Sequence, residues 1–334
     1  MGYVGIRAIH QAPDSSITGS GEHQLNEAVL VTPGNPICQG ATCVTTNTTQ
    51  NASLRVPYLG FSPGGLGADQ TIADGKYNSL QVTVRKQFSH GLQLQGAYTY
   101  GRGVETTSYT TFNNPALPLQ YGLNAGYRPQ RLTVNYGWDL PFGSHDGLLG
   151  KIASGWNLGG VIVVQSGFPL TPTDTRGGAI YGYGAGSVVT STAEFAPGMG
   201  NANVPSSGSL EQRLGGSILG GQGYFNKAAF GTIPNVGAIN GVGGGVGWGN
   251  TGYGIILGPG QFNWDMALVK TTKVGGIRED ATLQFRTEFF NAFNHAQFNV
   301  PAVVDVSKST TTFGQITSTS VNPRLIQFAL KYVF

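Results

Sequence analysis

The sequence predicts an all-β fold: the C-terminal portion of an antiparallel transmembrane β-barrel, about eight strands, with long extracellular loops and short periplasmic turns. Three observations predict it. Segments of period-two alternation recur along the chain, apolar on one face and amide- or hydroxyl-bearing on the other. The connections between them alternate long and short. Charged residues make up only 10% of the chain, against roughly 25% in an average soluble domain.

The elements follow in order. Residues 2–9 (GYVGIRAI) read as a short strand, and 10–75 as a long segment rich in Pro, Gly, Thr and Asn. The clearest hairpin comes next. Leu80, Val82, Val84 and Phe88 share one face, while Gln81, Thr83, Arg85 and Gln87 share the other. Lys86 falls on the apolar face close to the turn, where a long side chain snorkels to an interface. After Ser89-His90-Gly91, the residues Leu92, Leu94, Gly96, Tyr98 and Tyr100 alternate with Gln93, Gln95, Ala97 and Thr99. A soluble sandwich also alternates, but its polar faces carry Lys and Glu for solubility; here Gln and Thr dominate.

Past a loop at 102–129, residues 131–142 place Leu132, Val134, Tyr136, Trp138 and Leu140 against Thr133, Asn135, Gly137 and Asp139. A modest connection leads to 156–168, with Trp156, Leu158, Ile162, Val164 and Phe168 on one face. Its other face includes Val161 and Val163, so the pattern is weaker there. Residues 169–261 are the longest irregular stretch. The last three strands are 262–273, 281–292 and 325–334. The second of these puts Arg286 and Glu288 together on the polar face, a reading of paired charges inside the barrel. The third ends the sequence on Phe334, with Ile326, Phe328, Leu330 and Tyr332 on the same face. It resembles the C-terminal strand of bacterial outer-membrane proteins, and the resemblance implies recognition by the barrel assembly machinery.

The long connections are 10–75, 102–129, 169–261 and 294–323; the short ones lie near 89–91, 143–154 and 274–280. With Phe334 at the periplasmic rim, every short connection falls on that rim and every long one on the other. No apolar run approaches the ~20 residues of a membrane helix. No signal peptide precedes the first strand, so the natural chain is expected to begin further upstream.

Other chemistry is weakly signalled. The net charge of +3 is spread out and gives no basic patch for nucleic acid. The run 241–250 (GVGGGVGWGN) lacks the Gly-Lys-Ser/Thr ending of a phosphate loop and reads as a flexible extracellular loop. The histidines His10, His23, His90, His145 and His295 show no metal spacing, and no Gly-x-Ser-x-Gly elbow occurs. Asn47 and Asn51 open glycosylation-type triplets, which a bacterial outer-membrane protein seldom uses. The two cysteines, Cys38 and Cys43, sit in a turn-rich segment where both a local disulfide and a free pair stay open. Tyr181, Tyr183, Trp248, Tyr253 and Phe262 are candidate aromatic platforms for a ligand, weighed against membrane-girdle roles. No catalytic, cofactor-binding or metal-binding residue is assigned, no cofactor is expected, and the chain is not expected to be an enzyme.

Several phrases resemble one family when taken together: YVGIR (3–7), YRPQRLTVNYGWDLPFG (127–143), GWNLGGVIVVQSGFPLT (155–171), YFNKAAF (224–230), RTEFFNAFNHAQFNVP (286–301) and FGQITSTSVNPRLIQFALKYVF (313–334). They resemble the C-terminal barrel part of Oar-like TonB-dependent receptors over nearly the whole chain. The resemblance implies that 1–334 is one unit of such a barrel without its plug domain. It also implies residence in the bacterial outer membrane and uptake of a scarce ligand with energy relayed by TonB. Receptors of this kind have about 22 strands around a plugged lumen, against about eight here. Expected partners are outer-membrane lipid, the assembly machinery through the last strand, TonB only through upstream regions, and an unidentified extracellular ligand; no nucleic acid is expected. The alternative is a small outer-membrane barrel, or a secreted β-rich surface or adhesion protein, without transport.

Overall fold

The computed structural model describes residues 1–11, 23–68, 71, 73–107, 120–123, 126–142, 147–183, 190–209, 213–214, 223–275, 278–308 and 312–334. Nine strands make its main sheet: β1 (Gly2–Gln11), β2 (Ala73–Ser89), β3 (Leu92–Thr107), β4 (Gln120–Leu123), β5 (Gln130–Asp139), β6 (Trp156–Gln165), β7 (Gln261–Lys273), β8 (Thr282–Phe290) and β9 (Leu325–Val333). The order across the sheet is β1-β2-β3-β5-β6-β7-β8-β9, every pair antiparallel. β4 pairs with β3 beyond the stretch that β5 occupies, so the meander has eight lines of strand. Among the described residues, β1 and β9 each have one hydrogen-bonded neighbour in this sheet.

The register places side chains of like character on the same face. One row runs Val84, Gly96, Val134, Ile162, Trp264. The adjacent row on the opposite face runs Thr83, Ala97, Thr133, Val163, Asn263. A one-residue slip at any pair would have exchanged the faces. Among the described residues no second sheet covers the apolar face: Val84 is 59% exposed, and Phe328 and Leu330 are each 67% exposed. A soluble sandwich buries this face between its layers; here it looks outward.

The apolar band has definite limits. On β2 it runs from Leu80 to Phe88, eight steps or ~27 Å, close to the ~25 Å band of a membrane barrel. β2 itself has 17 residues, ~56 Å if fully extended, so its N-terminal part stands clear of the band. There the same face turns polar, with Lys76, and with Asn78 opposite Arg102. At this edge the Tyr3 hydroxyl donates to Asn78 Oδ1 at 2.5 Å.

The short-turn rim is tightly built. Between β2 and β3, His90 (φ 53°) and Gly91 (φ 75°) take the left-handed conformations of a two-residue hairpin. Gly91 also meets β5: Asp139 N–H donates to its carbonyl at 2.7 Å, and a Cβ at residue 91 would lie 2.8 Å from Asp139 O. The connection after β5 corrects the sequence reading, because it contains a helix, α1 (Gly147–Ala153). The 102–129 loop is likewise shorter than expected, since β3 continues to Thr107 and β4 follows. Residues 143–146, His145 among them, lie outside the described set.

The long loops gather at the other rim and form a cap with its own core. Ala193, Val204, Phe225 and Phe313 are buried there with Tyr224, Val306 and Ile316. Four two-residue ladders brace the 169–261 stretch: 169–170 with 256–257, 173–174 with 191–192, 194–195 with 230–231, and 235–236 with 245–246. The described residues of this stretch are packed structure rather than irregular coil.

Candidate functional site

The cap is assembled from three loops that lock together through backbone hydrogen bonds. The 23–68 segment joins the β6–β7 loop where Ala28 N–H donates to Tyr181 O at 3.1 Å. Asn47 Nδ2 reaches Gly237 O at 2.7 Å. The β8–β9 loop joins the same loop where Thr173 N–H donates to Val304 O (2.9 Å) and Tyr224 N–H to Gly314 O (2.7 Å). Phe313 packs against Phe225 and Phe230, with ring centroids 5.4 and 5.6 Å away. Cys38 and Cys43 face each other across the hairpin Ile37–Gln39/Thr42–Val44 and are disulfide-bonded, which resolves the state left open by the sequence.

Arg55 organises one side of the cap. Its side chain is fully buried, with no carboxylate against it among the described residues. Its guanidinium donates to Val29 O (2.5 Å), Thr48 O (3.0 Å) and Ile180 O (2.5 Å), and Nε donates to Asn51 Oδ1 (2.8 Å). One cation thereby ties three chain segments through their carbonyl dipoles. Burial lowers its pKa, and the neighbouring Tyr181 opposes that shift.

Beside it lies an aromatic cluster. Tyr181 stacks on Trp248 with centroids 5.6 Å apart and planes 7° apart; Tyr183 lies 5.5 Å from the same indole, tilted by 41°. Glu27 is buried among them. Burial pushes its carboxyl up to about 9, only partly offset by the Trp248 indole N–H facing it. No hydrogen bond of good geometry forms to either carboxylate oxygen or to Trp248 Nε1 among the described residues. Neutral at physiological pH, the carboxyl behaves as a packed polar group.

Three of the five sequence-flagged aromatics thus converge, as interior groups of the cap rather than an open platform or a girdle. Tyr253 is buried elsewhere in the cap, and Phe262 stands on the apolar face of β7, opposite Val164 and edge-on to His295 at 6.0 Å. The glycine run 241–250 is also braced: Gly244 N–H donates to Asn47 O, Gly247 N–H to Pro234 O, and Gly247 O accepts from Gly178 N–H. The expectation of a free loop there is corrected. A Cβ at residue 178 would lie 2.3 Å from the Trp248 ring, and Gly178 has φ 79°, so this contact requires glycine.

On the cap's far side, Arg176 grips the fully buried Asp174 with two hydrogen bonds, 2.9 and 2.6 Å. Burial pushes the nearby Asp305 up, but hydrogen bonds from Ser307 and Thr175 outweigh it and hold the carboxyl below the usual range. Lys227 donates to Val306 O and Lys308 O and sits over the Phe313 ring. These charges are satisfied internally.

Below the cap, the inward face of the sheet is a polar wall. Gln165 Nε2 donates to Gln261 Oε1 at 2.5 Å, Asn157 Nδ2 to Asp139 Oδ1 at 2.7 Å, and Arg286 pairs with Glu288 at 2.6 Å. Near the short-turn rim, a cleft of about 400 Å³ is lined by Arg85, Gln87, Gln93, Gln95 and Asn135 of this face and by Lys86, Phe88, Leu94 and Tyr136 of the other. The amide, hydroxyl and charged groups of this face offer hydrogen bonds to water or to a polar solute. Among the described residues, no group of three or more His, Cys, Asp or Glu is placed to hold a metal. The sequence reading missed Arg55, Glu27 and the Phe225–Phe313 core; the one signal was apolar residues persisting in a non-periodic region.

The sequence profile of a family described as outer membrane beta barrel domain matches residues 1–327. No curated protein and no solved structure matches the chain.

Proposed function

From the premise that this chain belongs to the outer membrane beta barrel domain family, and so resides in the bacterial outer membrane, we propose that it is wall and extracellular cap of a TonB-dependent receptor of the Oar-like kind. Its role is energy-coupled uptake of a scarce ligand, without catalysis. One observation carries the reading: three loops from one rim interlock into a cap with its own core above a polar inner wall. An adhesin needs displayed loops, but it does not need them folded together over a lumen. The TonB contact belongs to regions outside these residues, and the last strand is the handle for the barrel assembly machinery.

A second reading, a small outer-membrane barrel without transport, rests on the count of eight strand lines, which suffices for a narrow closed barrel. Uptake assays discriminate. Cells with and without the gene are compared for accumulation of radiolabelled iron chelates, cobalamin, oligosaccharides and peptides, with the inner membrane energised or uncoupled. The expected result is energised-only uptake of one class, lost on deletion. Accumulation unchanged by both treatments across the panel defeats the receptor reading.

A further inference from the structure

Helix α1 and the adjoining ends of β6 and β7 form a feature that neither the wall nor the cap uses. The helix, Gly-Leu-Leu-Gly-Lys-Ile-Ala, sits at the short-turn rim on the lipid side of the sheet. Three contacts place it there, each from a side chain on the apolar face. Trp156 Nε1 donates to Ile152 O at 3.0 Å, Thr272 Oγ1 to Lys151 O at 3.5 Å, and Lys270 Nζ to Ser154 O. Trp156 and Lys270 are cross-strand partners, with the ammonium 5.7 Å from the indole centroid. Ile152 is 60% exposed beside them.

Lys151, Lys270 and Lys273, with Ser154, Thr271 and Thr272, line a cleft of about 260 Å³ at this rim. Among the described residues none of the three lysines forms an ion pair; the two salt bridges lie elsewhere. The nearby turn does carry Glu279 and Asp280, both exposed. Three ammonium groups with no carboxylate partner among the described residues, at a membrane interface, attract anionic headgroups, and a compact ammonium suits a phosphate oxygen. A short apolar helix with a lysine, hydrogen-bonded to an interfacial tryptophan, has the composition of an interfacial anchor.

We propose that this cleft binds the phosphate headgroup of an anionic phospholipid from the periplasmic leaflet, with the acyl chains covering Ile152 and Trp156. A free phosphate would satisfy the lysines but leave that apolar surface bare, so the occupant is the lipid. The inference rests on the membrane location and not on the uptake reading.

The test uses the purified full-length protein in nanodiscs of phosphatidylcholine doped with phosphatidylglycerol, with retained lipid counted by native mass spectrometry. The variant is Lys151→Gln/Lys273→Gln, which spares the Lys270 contact to Ser154. Lys76→Gln, on β2 toward the opposite rim, is the control, and heat-modifiable migration verifies folding of each. Wild type and control should retain one phosphatidylglycerol in preference to phosphatidylcholine, and the double variant should lose that preference by roughly tenfold. Equal retention by wild type and double variant overturns the site. Displacement of the lipid by millimolar inorganic phosphate overturns the choice of lipid as occupant.

Discussion

Arg286 and Glu288, two residues apart on β8, close a 2.6 Å salt bridge on the polar face of the wall. Both side chains are partly open to water, at 48% and 22% exposure. Water screens such a pair, so its net worth is small. Substituting Glu288→Gln should shift the unfolding free energy by less than ~1 kcal/mol. A double-mutant cycle with Arg286→Gln in urea titrations measures the coupling. A coupling of several kcal/mol would show that the pair is shielded from water.

The two faces of β2 should answer differently to the same charge. Val84 lies near the middle of the apolar band and Thr83 lies beside it on the polar wall. Val84→Arg should destabilise the protein by roughly 2–4 kcal/mol more than Thr83→Arg, the cost of arginine at the bilayer midplane. Reversible unfolding from lipid vesicles gives the comparison. Equal losses would reverse the assignment of faces.

Glu27 makes the cap sensitive to pH. Its folded-state pKa of about 9 stands above its ordinary value of 4.5 because burial penalises the charged form. The unfolded cap releases this proton at a lower pH than the folded cap. The associated stability is therefore fully present below pH 4.5 and is lost as pH rises toward about 9. Glu27→Gln should flatten that dependence and resist protease better than wild type at pH 8. Limited proteolysis of the extracellular loops across pH 5–9 reads it, and a wild-type cap indifferent to pH over that window would contradict it.

The Cys38–Cys43 disulfide closes a short loop, with a sequence separation of five. Loop-closure entropy for so small a ring gives about 2 kcal/mol of local stabilisation. Reduction, or the double change to serine, should speed cleavage within 37–44 while leaving heat-modifiable migration intact. Mass mapping of the first cleavage sites checks both halves of the statement.

Phe334 is 66% exposed and packs its ring 5.7 Å from Tyr332. Deleting it should lower the yield of assembled protein in outer-membrane fractions without lowering synthesis. Unchanged yield would remove the last strand from the assembly reading.

The wall was legible in the sequence because each of its faces has one environment. Leu80, Val82 and Val84 had to differ from Gln81, Thr83 and Arg85, and the register bears this out strand by strand. The length asymmetry of the connections was legible for the same reason, since a meander returns alternate connections to one rim. The cap was not. Phe225 and Phe313 meet across two different loops, and no periodicity marks a contact of that kind. Arg55 was invisible because three of its four partners are backbone carbonyls, which every residue has. Helix α1 spans only seven residues, too few to display a helical period.

Among the described residues the meander has eight lines of strand, so β1 and β9 run in opposite directions along its two open margins. Lipid does not tolerate unpaired backbone groups, so the margins must be sealed there. Keeping every neighbour antiparallel imposes a parity rule: only an even number of further strands, zero included, completes the ring. An arrangement that inserted an odd number would force one parallel seam into an otherwise uniform cylinder.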